Sequence, residues 1–372
     1  MKRVYFFGTG YCAELFASRV KSSLKILGDF SIKGFLDNNV DKVGTVFEGC
    51  KVYSPNILRT SSCDLVLLFL FEESKYETVY QQLKEIISPE LIRPYYFPLK
   101  LIIQKKYQNT SDIEIKQTLN YISNNKISVF NQFIKASHTY DEVKWDWHAN
   151  LPYIDFTTIE GKNVPMYFPS DYGFFKKEDK MYVENVMWEQ SQGSPHLYVK
   201  KGHDVKDGDC IIDAGVCEGN FALKYIDIAS HIYLFEVDPM WKIPLKYTFR
   251  NYANKITFID KAISDKATKN TCRIDDIISN HKIDFIKMDI EGAELSAIQG
   301  AKETFCKNNL RASICSYHRH GDEKKIRLLL DEYGYRTSVS EGYMLFLYSD
   351  DTWEFGDLRR GIVYCDRENR LY

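Results

Sequence analysis

The segment DCIIDAGVCEGNF at residues 209–221, followed by YLFEVDP at residues 233–239, decides the fold of this chain. An apolar strand ends at Asp213, and the chain then turns through Gly215 and Gly219 into a helix. A second apolar strand follows and ends at Glu236. Because glycines let the backbone approach a ligand at the carboxyl ends of parallel strands, this spacing predicts a nucleotide-type pocket at a sheet edge.

The glycine loop narrows the kind of ligand that the pocket would take. It reads D-x-G-x-x-x-G, without the Lys-[Ser/Thr] of a phosphate-binding loop and without the G-x-G-x-x-G order of a dinucleotide fold. No pyrophosphate therefore has to be seated at the start of the helix. The loop favours a cofactor that carries no phosphate.

A third segment, IDFIKMDIEGAELSAIQG at residues 283–300, joins these two. Together they resemble the FkbM family of S-adenosylmethionine-dependent methyltransferases, whose hallmark D-x-E-G-A-E stands intact at residues 289–294. The likeness covers residues 195–350, and it departs from the family at residues 216–218, where Val-Cys-Glu replaces a small residue, Asn and an aliphatic. It implies an α/β fold: a class I methyltransferase Rossmann-like sheet, parallel with an antiparallel terminal hairpin.

The resemblance implies S-adenosylmethionine as the cofactor. Asp213, Gly215 and Gly219 would cradle its methionine part, and Glu236 would accept hydrogen bonds from both ribose hydroxyls. The other cofactor-binding candidates lie on neighbouring loops and strand ends: Asn220, Phe221, Asp260, Tyr198 and Glu291. The alternative is that these are ordinary strand ends with turn glycines, and that Phe221 belongs to the core.

The catalytic candidates follow the fourth and fifth strands of the predicted sheet. Asp289 ends the fourth strand, and the fifth ends in the run YHRHGD at residues 317–322. Methyl transfer to an alcohol requires the hydroxyl proton to leave, and histidine is a frequent general base. We expect His318 to be that base beside Asp289, with His320 as the second candidate.

Two alternatives remain open at this edge. A divalent metal held by Asp289 and His318, with Asp322 as a third ligand, would acidify the hydroxyl instead. The other reading is structural, because acids favour helix N-termini. Asp289 and Glu291 would then cap the helix that begins near residue 292, and Asp322 would cap the helix at whose N-terminus His318 stands.

The first hundred residues alternate strands and helices and predict a smaller Rossmann-like α/β domain. Its first turn fits G-x-G-x-x-A through Gly8 and Gly10, and Asp37 ends the next strand, where a ribose-contacting acid would sit. These three residues are candidates for binding a nucleotide or sugar. The alternative is a domain that has kept the turn and binds nothing.

The rest of the chain completes four predicted regions: 1–100, 101–195, 196–350 and 351–372. Residues 101–195 read as a connector with helices at 113–122 and 127–136, followed by an aromatic, irregular cap without strand alternation. Within 196–350, the turn at 340–342 predicts a hairpin between strands 334–339 and 344–348. The tail 351–372 is charged and aromatic, and it makes a homodimer plausible.

Bulk properties limit the partners. The chain has 372 residues, a formal net charge of −2 and 44% hydrophobic residues, without a basic block that would predict nucleic-acid binding. No apolar run is long enough to span a bilayer, and because residues 1–4 lead straight into a strand pattern we expect no signal peptide. The nine cysteines form no C-x-x-C pair and read as reduced thiols, so we expect a cytoplasmic protein.

Three functions remain open from the sequence. The first is an S-adenosylmethionine-dependent O-methyltransferase that acts on a sugar hydroxyl of a nucleotide-linked or glycan precursor, as in surface polysaccharide biosynthesis. The second is an NAD(P)-dependent sugar oxidoreductase or epimerase using the N-terminal domain. The third is a non-catalytic scaffold that binds S-adenosylmethionine or a glycan.

Overall fold

The computed structural model describes residues 1–134, 143–170, 186–278 and 281–367. The chain divides into two compact units. Unit 1 comprises Met1–Val129 and Phe346–Leu358, and unit 2 comprises Phe130–Leu345 and Arg359–Tyr372.

Unit 1 is a Rossmann-like α/β domain, as the alternation of apolar strands and helices predicts. Its six strands are β1 Lys2–Phe7, β2 Phe30–Leu36, β3 Val46–Phe47, β4 Cys50–Tyr53, β5 Leu65–Leu68 and β6 Ile92–Pro94. They form a sheet in the order β3-β4-β2-β1-β5-β6, parallel except for β3. Its helices are α1 Tyr11–Leu27, α2 Glu73–Lys84, α3 Phe97–Tyr107 and α4 Ile113–Asn124.

The described part of unit 2 contains a seven-stranded sheet with the expected class I methyltransferase order. Its strands are β10 Cys210–Ala214, β11 His231–Phe235, β12 Ile256–Ile259, β15 Phe285–Met288, β16 Arg311–Cys315, β17 Arg336–Val339 and β18 Ile362–Asp366. The order is β12-β11-β10-β15-β16-β18-β17, in which β18 runs antiparallel to both of its neighbours. The first five strands are parallel, so their carboxyl ends meet at one edge. The predicted fold class is confirmed.

Short helices connect these strands, and two further small sheets belong to the same unit. The helices are α5 Asn220–Tyr225, α6 Lys242–Thr248, α7 Ile274–Ile278, α8 Glu294–Gly300, α9 Lys302–Lys307 and α10 Asp322–Glu332. The small sheets are the pair β13 Ala262–Ile263 and β14 Thr271–Cys272, and the antiparallel set β7 Lys144–Asp146, β8 Leu151–Thr157 and β9 Asn163–Tyr167.

The predicted hairpin between residues 334–339 and 344–348 is wrong. β17 pairs with β18 instead, and the chain between them makes an excursion into unit 1. There α11 Asp350–Phe355 buries Trp353 completely, and the indole Nε1 donates to the carbonyl of Leu347 at 2.8 Å. Turn residues indicate only local backbone geometry. They therefore could not predict that the segment between β17 and β18 packs in unit 1, where Trp353 is buried.

Two expectations for residues 101–195 are also wrong. The stretch was expected to lack strands, but residues 144–167 form the antiparallel sheet β7-β8-β9, whose β8 alternates buried and exposed side chains after Pro152. The helix expected at 127–136 is not present over 127–134. Four aromatics expected in the cap lie outside the described residues: Tyr140, Tyr172, Phe174 and Phe175.

Two further structural findings concern the cysteines and the possibility of a membrane-spanning helix. All nine cysteines are among the described residues, and none forms a disulfide. Across the described ranges, no helix has both the length and the apolar character needed to cross a bilayer.

Candidate active site

The glycine loop after β10 requires glycine at its first turn. Gly215 has φ +77°, and a Cβ built on it would lie 1.7 Å from the carbonyl oxygen of Asp289 on the neighbouring strand end. Gly219 has φ +86° and stands immediately before α5. These glycines therefore let the loop fold against the end of β15, and no other residue fits at 215.

Glu236 closes the same loop from the other side. Its Oε2 accepts the backbone N–H of Cys217 at 2.9 Å, and its Oε1 accepts that of Asp238 at 2.8 Å. Each carboxylate oxygen has a second lone pair, so Glu236 can still accept hydrogen bonds from a ligand. The predicted ribose acid thus stands at the end of β11 and fixes the loop that it would share with the ligand.

A cavity of about 260 Å³ opens beside Glu236, between the ends of β11 and β12. Its lining combines apolar side chains with charged ones at the rim: Glu236, Val237, Asp238, Pro239, Lys242, Leu245, Lys246, Phe258, Ile259 and Asp260. Asp260 is largely exposed, and its Oδ2 lies 3.3 Å from Nζ of Lys242. An apolar slot with acids at both ends suits a base and its ribose.

Two of the predicted cofactor residues are buried, and a third is half-buried. Asp213 is completely buried, and its Oδ1 lies 3.0 Å from Nζ of Lys287. Phe221 is buried, with its ring centroid 5.7 Å from that of Tyr198. Asn220, the first residue of α5, is half-buried. Direct contact with a ligand in the loop is therefore better supported for Gly215 and Glu236 than for Asp213 and Phe221.

Asp289 is the centre of a buried polar cluster at the end of β15. Its Oδ2 accepts the hydroxyl of Tyr198 at 2.7 Å and lies 3.3 Å from Nε2 of His196. Its Oδ1 lies 3.3 Å from Nε2 of His318 and accepts the hydroxyl of Tyr317 at 3.4 Å. One carboxylate therefore stands between two imidazoles and two phenols.

Electrostatics keep Asp289 ionised. Burial by itself would raise the pKa of its carboxyl, but the hydrogen bond and charge of His196, with the charges of His318 and Lys287, hold that pKa well below its usual range. Burial would likewise lower the pKa of His318, yet Glu294, Asp289 and Glu291 raise it to about 9. His318 is therefore an imidazolium at neutral pH.

The two histidines extend the cluster into a row of alternating acids and imidazoles. Nδ1 of His318 lies 3.0 Å from Oε1 of Glu294, and Nδ1 of His196 lies 3.6 Å from Oε2 of Glu189. Read in order, the row is Glu189, His196, Asp289, His318 and Glu294. Glu294 is buried and Glu189 is partly exposed, so one end of the row reaches solvent.

The two glutamates of the D-x-E-G-A-E motif, Glu291 and Glu294, make different contacts. Glu291 adopts φ +56° with an exposed side chain, and its Oε2 lies 3.5 Å from Nε2 of His318. Glu294 accepts the backbone N–H groups of Ile290 and Gly292 at 3.0 and 3.3 Å. The turn before α8 is thus held by Glu294, and Glu291 remains beside His318.

The remaining candidates at this edge lie apart from the cluster or inside turns. His320 is exposed. Asp322 is buried, and its Oδ2 accepts the backbone N–H of Arg319 at 3.2 Å, which closes the turn before α10. Among these histidines, His318 is the one that the fold brings to Asp289 as predicted.

His318 fits a divalent cation poorly as a ligand. The described residues offer two groups with suitable spacing: Asp289, Glu294 and His318, and His196, Asp289 and Cys315. In the first, both ring nitrogens of His318 face carboxylates and the raised pKa keeps the ring protonated, whereas a metal ligand must be neutral imidazole. Asp322 belongs to neither group within the described chain. The residues as placed fit a protonated imidazole between acids.

Sequence reasoning missed four residues of this site: Glu189, His196, Glu294 and Lys287. His196 lies far from Asp289 along the chain, in the segment that sequence analysis noted for Tyr198. Glu294 and Lys287 were inside the quoted motif, but without the fold their spacing gives no reason to separate them from core and surface positions. A buried lysine in an otherwise apolar strand was the one available signal.

In unit 1 the G-x-G turn keeps its shape through internal bonds. Gly8 has φ +98°, and Gly10 has open space around its Cα. Oδ2 of Asp37 accepts the backbone N–H of Thr9 at 3.1 Å and its hydroxyl at 2.5 Å, and Oδ1 accepts the N–H of Asn39 at 2.9 Å. The turn itself therefore occupies much of the acceptor capacity of Asp37.

Sheet order, glycine loop and strand-end acids are those of the class I methyltransferase fold. Residues 215–337 match the family model of the methyltransferase FkbM domain, so this segment of the chain is a methyltransferase domain of the FkbM type. No curated protein gives a significant match to the chain.

Three solved structures are similar to the chain at low sequence identity. A methyltransferase FkbM from Methylobacillus flagellatus KT is 15% identical over 98% of this chain and 90% of its own, with a TM-score of 0.48. A putative methyltransferase from Streptococcus mutans in complex with SAH is 12% identical over 44% and 90%, with a TM-score of 0.30. Magnesium protoporphyrin IX methyltransferase from Synechocystis PCC 6803 with bound SAM is 16% identical over 44% and 71%, also at 0.30. Since these TM-scores are below 0.5, the assignment rests on the family match and the motifs.

Proposed function

We propose that this protein transfers a methyl group from S-adenosylmethionine to a hydroxyl oxygen, and that the acceptor is a sugar of a nucleotide-linked or glycan precursor. One observation carries the proposal: the glycine loop that would hold the donor touches the acid that would organise the acceptor. Backbone of Gly215 and backbone of Asp289 approach so closely that a Cβ cannot be placed between them.

The residues present fit S-adenosylmethionine. The cavity beside Glu236 and Asp260 has the mixed apolar and acidic lining that suits adenosine, and the turn from Gly215 to Gly219 offers backbone without side-chain bulk. Glu236 would accept the ribose hydroxyls and Asp260 would meet the adenine. When bound, the cofactor supplies an activated methyl group on a positively charged sulfur. The surrounding acids favour such a cation.

Asp289 and its histidines would handle the acceptor proton. O-methylation releases one proton from the hydroxyl, and a positioned imidazole can take it. His318 is the base of the proposal, and Asp289 orients the ring and stabilises its charged form. Because His318 is protonated at rest, it has to release a proton before it can accept one. His196, at the other oxygen of Asp289, is the second candidate for the same role.

A sugar acceptor suits the chemistry of the cluster around Asp289. Tyr198, Tyr317 and the carboxylates around Asp289 offer aromatic faces and hydrogen-bond acceptors, which carbohydrate hydroxyls and ring C–H groups use. Arg319 packs over Gly292 beside the motif and could hold a phosphate of a nucleotide-linked precursor. Gly8, Gly10 and Asp37 of unit 1 stay a prediction for nucleotide or sugar binding. A homodimer and a cytoplasmic location also stay predictions.

The test is direct methyl transfer. Purified protein with methyl-labelled S-adenosylmethionine and a panel of nucleotide sugars and oligosaccharides should yield a labelled product for at least one acceptor. Asp289→Ala and His318→Ala should abolish labelling, while His148→Ala, at an exposed histidine in the turn between β7 and β8, should not. Labelling retained by both site variants would overturn the site, and binding of nicotinamide cofactors in place of S-adenosylhomocysteine would favour the oxidoreductase alternative.

The metal alternative has its own measurement. The proposal expects transfer to persist after exhaustive chelation with EDTA. Loss of activity that returns with one divalent cation would instead favour a metal at Asp289 and His318.

A further inference from the structure

Lys287 is a buried cation in the middle of the catalytic sheet. Its side chain is 4% exposed, and the register of β10 and β15 places it directly opposite Asp213. Nζ lies 3.0 Å from Oδ1 of Asp213. Strand register therefore dictates this ion pair, because side chains of directly opposed residues lie on the same face of a sheet.

The same ammonium group reaches the cofactor loop. Nζ donates to the carbonyl oxygen of Gly215 and lies 3.5 Å from that of Ala214. It also stands 5.0 Å from the ring centroid of Tyr198, whose hydroxyl donates to Asp289. One cation thus contacts the loop, the acid at the end of β10 and a tyrosine that holds the catalytic acid.

The buried ammonium of Lys287 has a buried counter-ion, because Asp213 is completely withdrawn from solvent and its Oδ1 lies 3.0 Å away. Without the ammonium, Asp213 would be a buried carboxylate without its counter-ion, and the carbonyl of Gly215 would lose its donor. Both consequences fall on the loop that ends at Gly219.

We propose that Lys287 is a positioning residue for the cofactor: its ammonium fixes the carbonyl of Gly215, and with it the loop, at the place where the methyl donor binds. The inference rests on the proposed function and extends it to a residue that does not line the cavity beside Glu236. Glu236 holds the outer side of the loop through the N–H of Cys217, and Lys287 holds the inner side.

Binding of S-adenosylhomocysteine to the full-length chain, measured by calorimetry, tests the proposal. Lys287→Met should weaken binding at least about tenfold, since a hydrogen bond from a charged donor is lost. The matched control is Lys255→Met. Lys255 also donates to two backbone carbonyls, those of Ile226 and Asp227 at 3.1 and 2.9 Å, and it lies away from the loop. The control should bind within about twofold of the unmodified protein.

A double variant tests whether Lys287 acts by positioning the loop or only by balancing the charge of Asp213. Asp213→Asn combined with Lys287→Met removes both charges, so binding should stay weak if the carbonyl of Gly215 needs its donor. Full recovery of affinity in this double variant would overturn positioning, as would unchanged affinity in Lys287→Met. If the neutral variants do not fold, Lys287→Arg is the alternative, because it keeps the positive charge. It should bind S-adenosylhomocysteine about fivefold more weakly, since a planar guanidinium cannot reproduce the hydrogen bonds of an ammonium group. Unchanged affinity in Lys287→Arg would overturn the proposal. If the proposed function itself is wrong, the unmodified protein will not bind S-adenosylhomocysteine, which distinguishes that outcome from a failure of the positioning role of Lys287.

Discussion

Nε2 of His318 lies 3.3 Å from Oδ1 of Asp289, where the imidazole is 2% exposed and the carboxylate 16%. Each group depends on the other for its charge, since the pKa of the imidazole is raised and that of the carboxyl is lowered. The pair stands at the carboxyl edge of the sheet, against the glycine loop. This relationship motivates the catalytic assignment and three of the predictions below.

Replacing His318 with Asn should remove catalysis and leave cofactor binding intact. The loss of a general base lowers rates by about 10²- to 10⁴-fold, so kcat should fall at least about 100-fold. Affinity for S-adenosylhomocysteine should change less than about threefold, since the ring does not line the cavity beside Glu236. Transfer assays and calorimetry on the same preparation check both parts. A kcat within threefold of the unmodified enzyme would transfer the role to His196.

The rate of transfer should rise with pH up to about 9. His318 has to be neutral to accept a proton, and its pKa is raised to about 9. Below that pH, kcat/KM should increase about tenfold per pH unit and then level off. A pH profile that is already flat above pH 7 would contradict His318 as the base.

The charge of His318 should also stabilise the fold in a defined pH window. A group whose folded pKa is raised contributes stability that is complete below its unfolded pKa, about 6.5, and is lost as pH rises through the folded value of about 9. The free energy of unfolding of the unmodified protein should therefore fall, relative to His318→Gln, by about 3 kcal/mol across this window. Urea unfolding at pH 6 and pH 9.5 measures the difference. A constant difference at the two pH values would argue against the ion pairs with Asp289 and Glu294.

Glu236→Ala should weaken cofactor binding at least about tenfold, because the carboxylate both accepts ribose hydroxyls in the proposal and holds the N–H of Cys217. Glu303→Ala is the control, since Glu303 is exposed and pairs with Lys307 at 2.6 Å on the surface of α9. Isothermal titration with S-adenosylhomocysteine should separate the two variants. Equal affinities would place the ribose elsewhere.

Gly215→Ala should destabilise the protein far more than Gly208→Ala. Both glycines have positive φ, +77° and +78°, so the backbone strain of alanine is similar, about 1 kcal/mol. At 215 the new Cβ also meets the carbonyl oxygen of Asp289 at 1.7 Å, whereas at 208 no atom lies within 4 Å. We expect a loss of about 3 kcal/mol or more at 215. Similar unfolding midpoints for the two variants would show that the loop can move away from β15.

The parallel sheet and its strand-end residues could be predicted from the sequence because their signals are local. Apolar runs that end in an acid, such as those before Asp213 and Glu236, mark buried strands with their carboxyl ends at one edge. Asp289 and His318 follow neighbouring strands, so parallel pairing alone brings them together. The resemblance of residues 289–294 to the FkbM motif then predicted methyl transfer from S-adenosylmethionine.

What could not be predicted depends on contacts between distant segments. His196 meets Asp289 through the folding of the segment before β10, and Lys287 meets Asp213 through the register of two strands. Neither the separation of two residues along the chain nor the composition of the chain predicts such contacts. The excursion of Trp353 into unit 1 likewise follows from the burial of one large side chain, which local turn signals at 340–342 cannot anticipate.

A crystal structure of the protein with S-adenosylhomocysteine tests the central claim most directly. The account predicts the ribose hydroxyls on the carboxylate of Glu236, the adenine in the cavity toward Asp260, and the sulfur at the turn from Gly215 toward Asp289. Density for the ligand at another place, or an empty loop at saturating ligand, would contradict it.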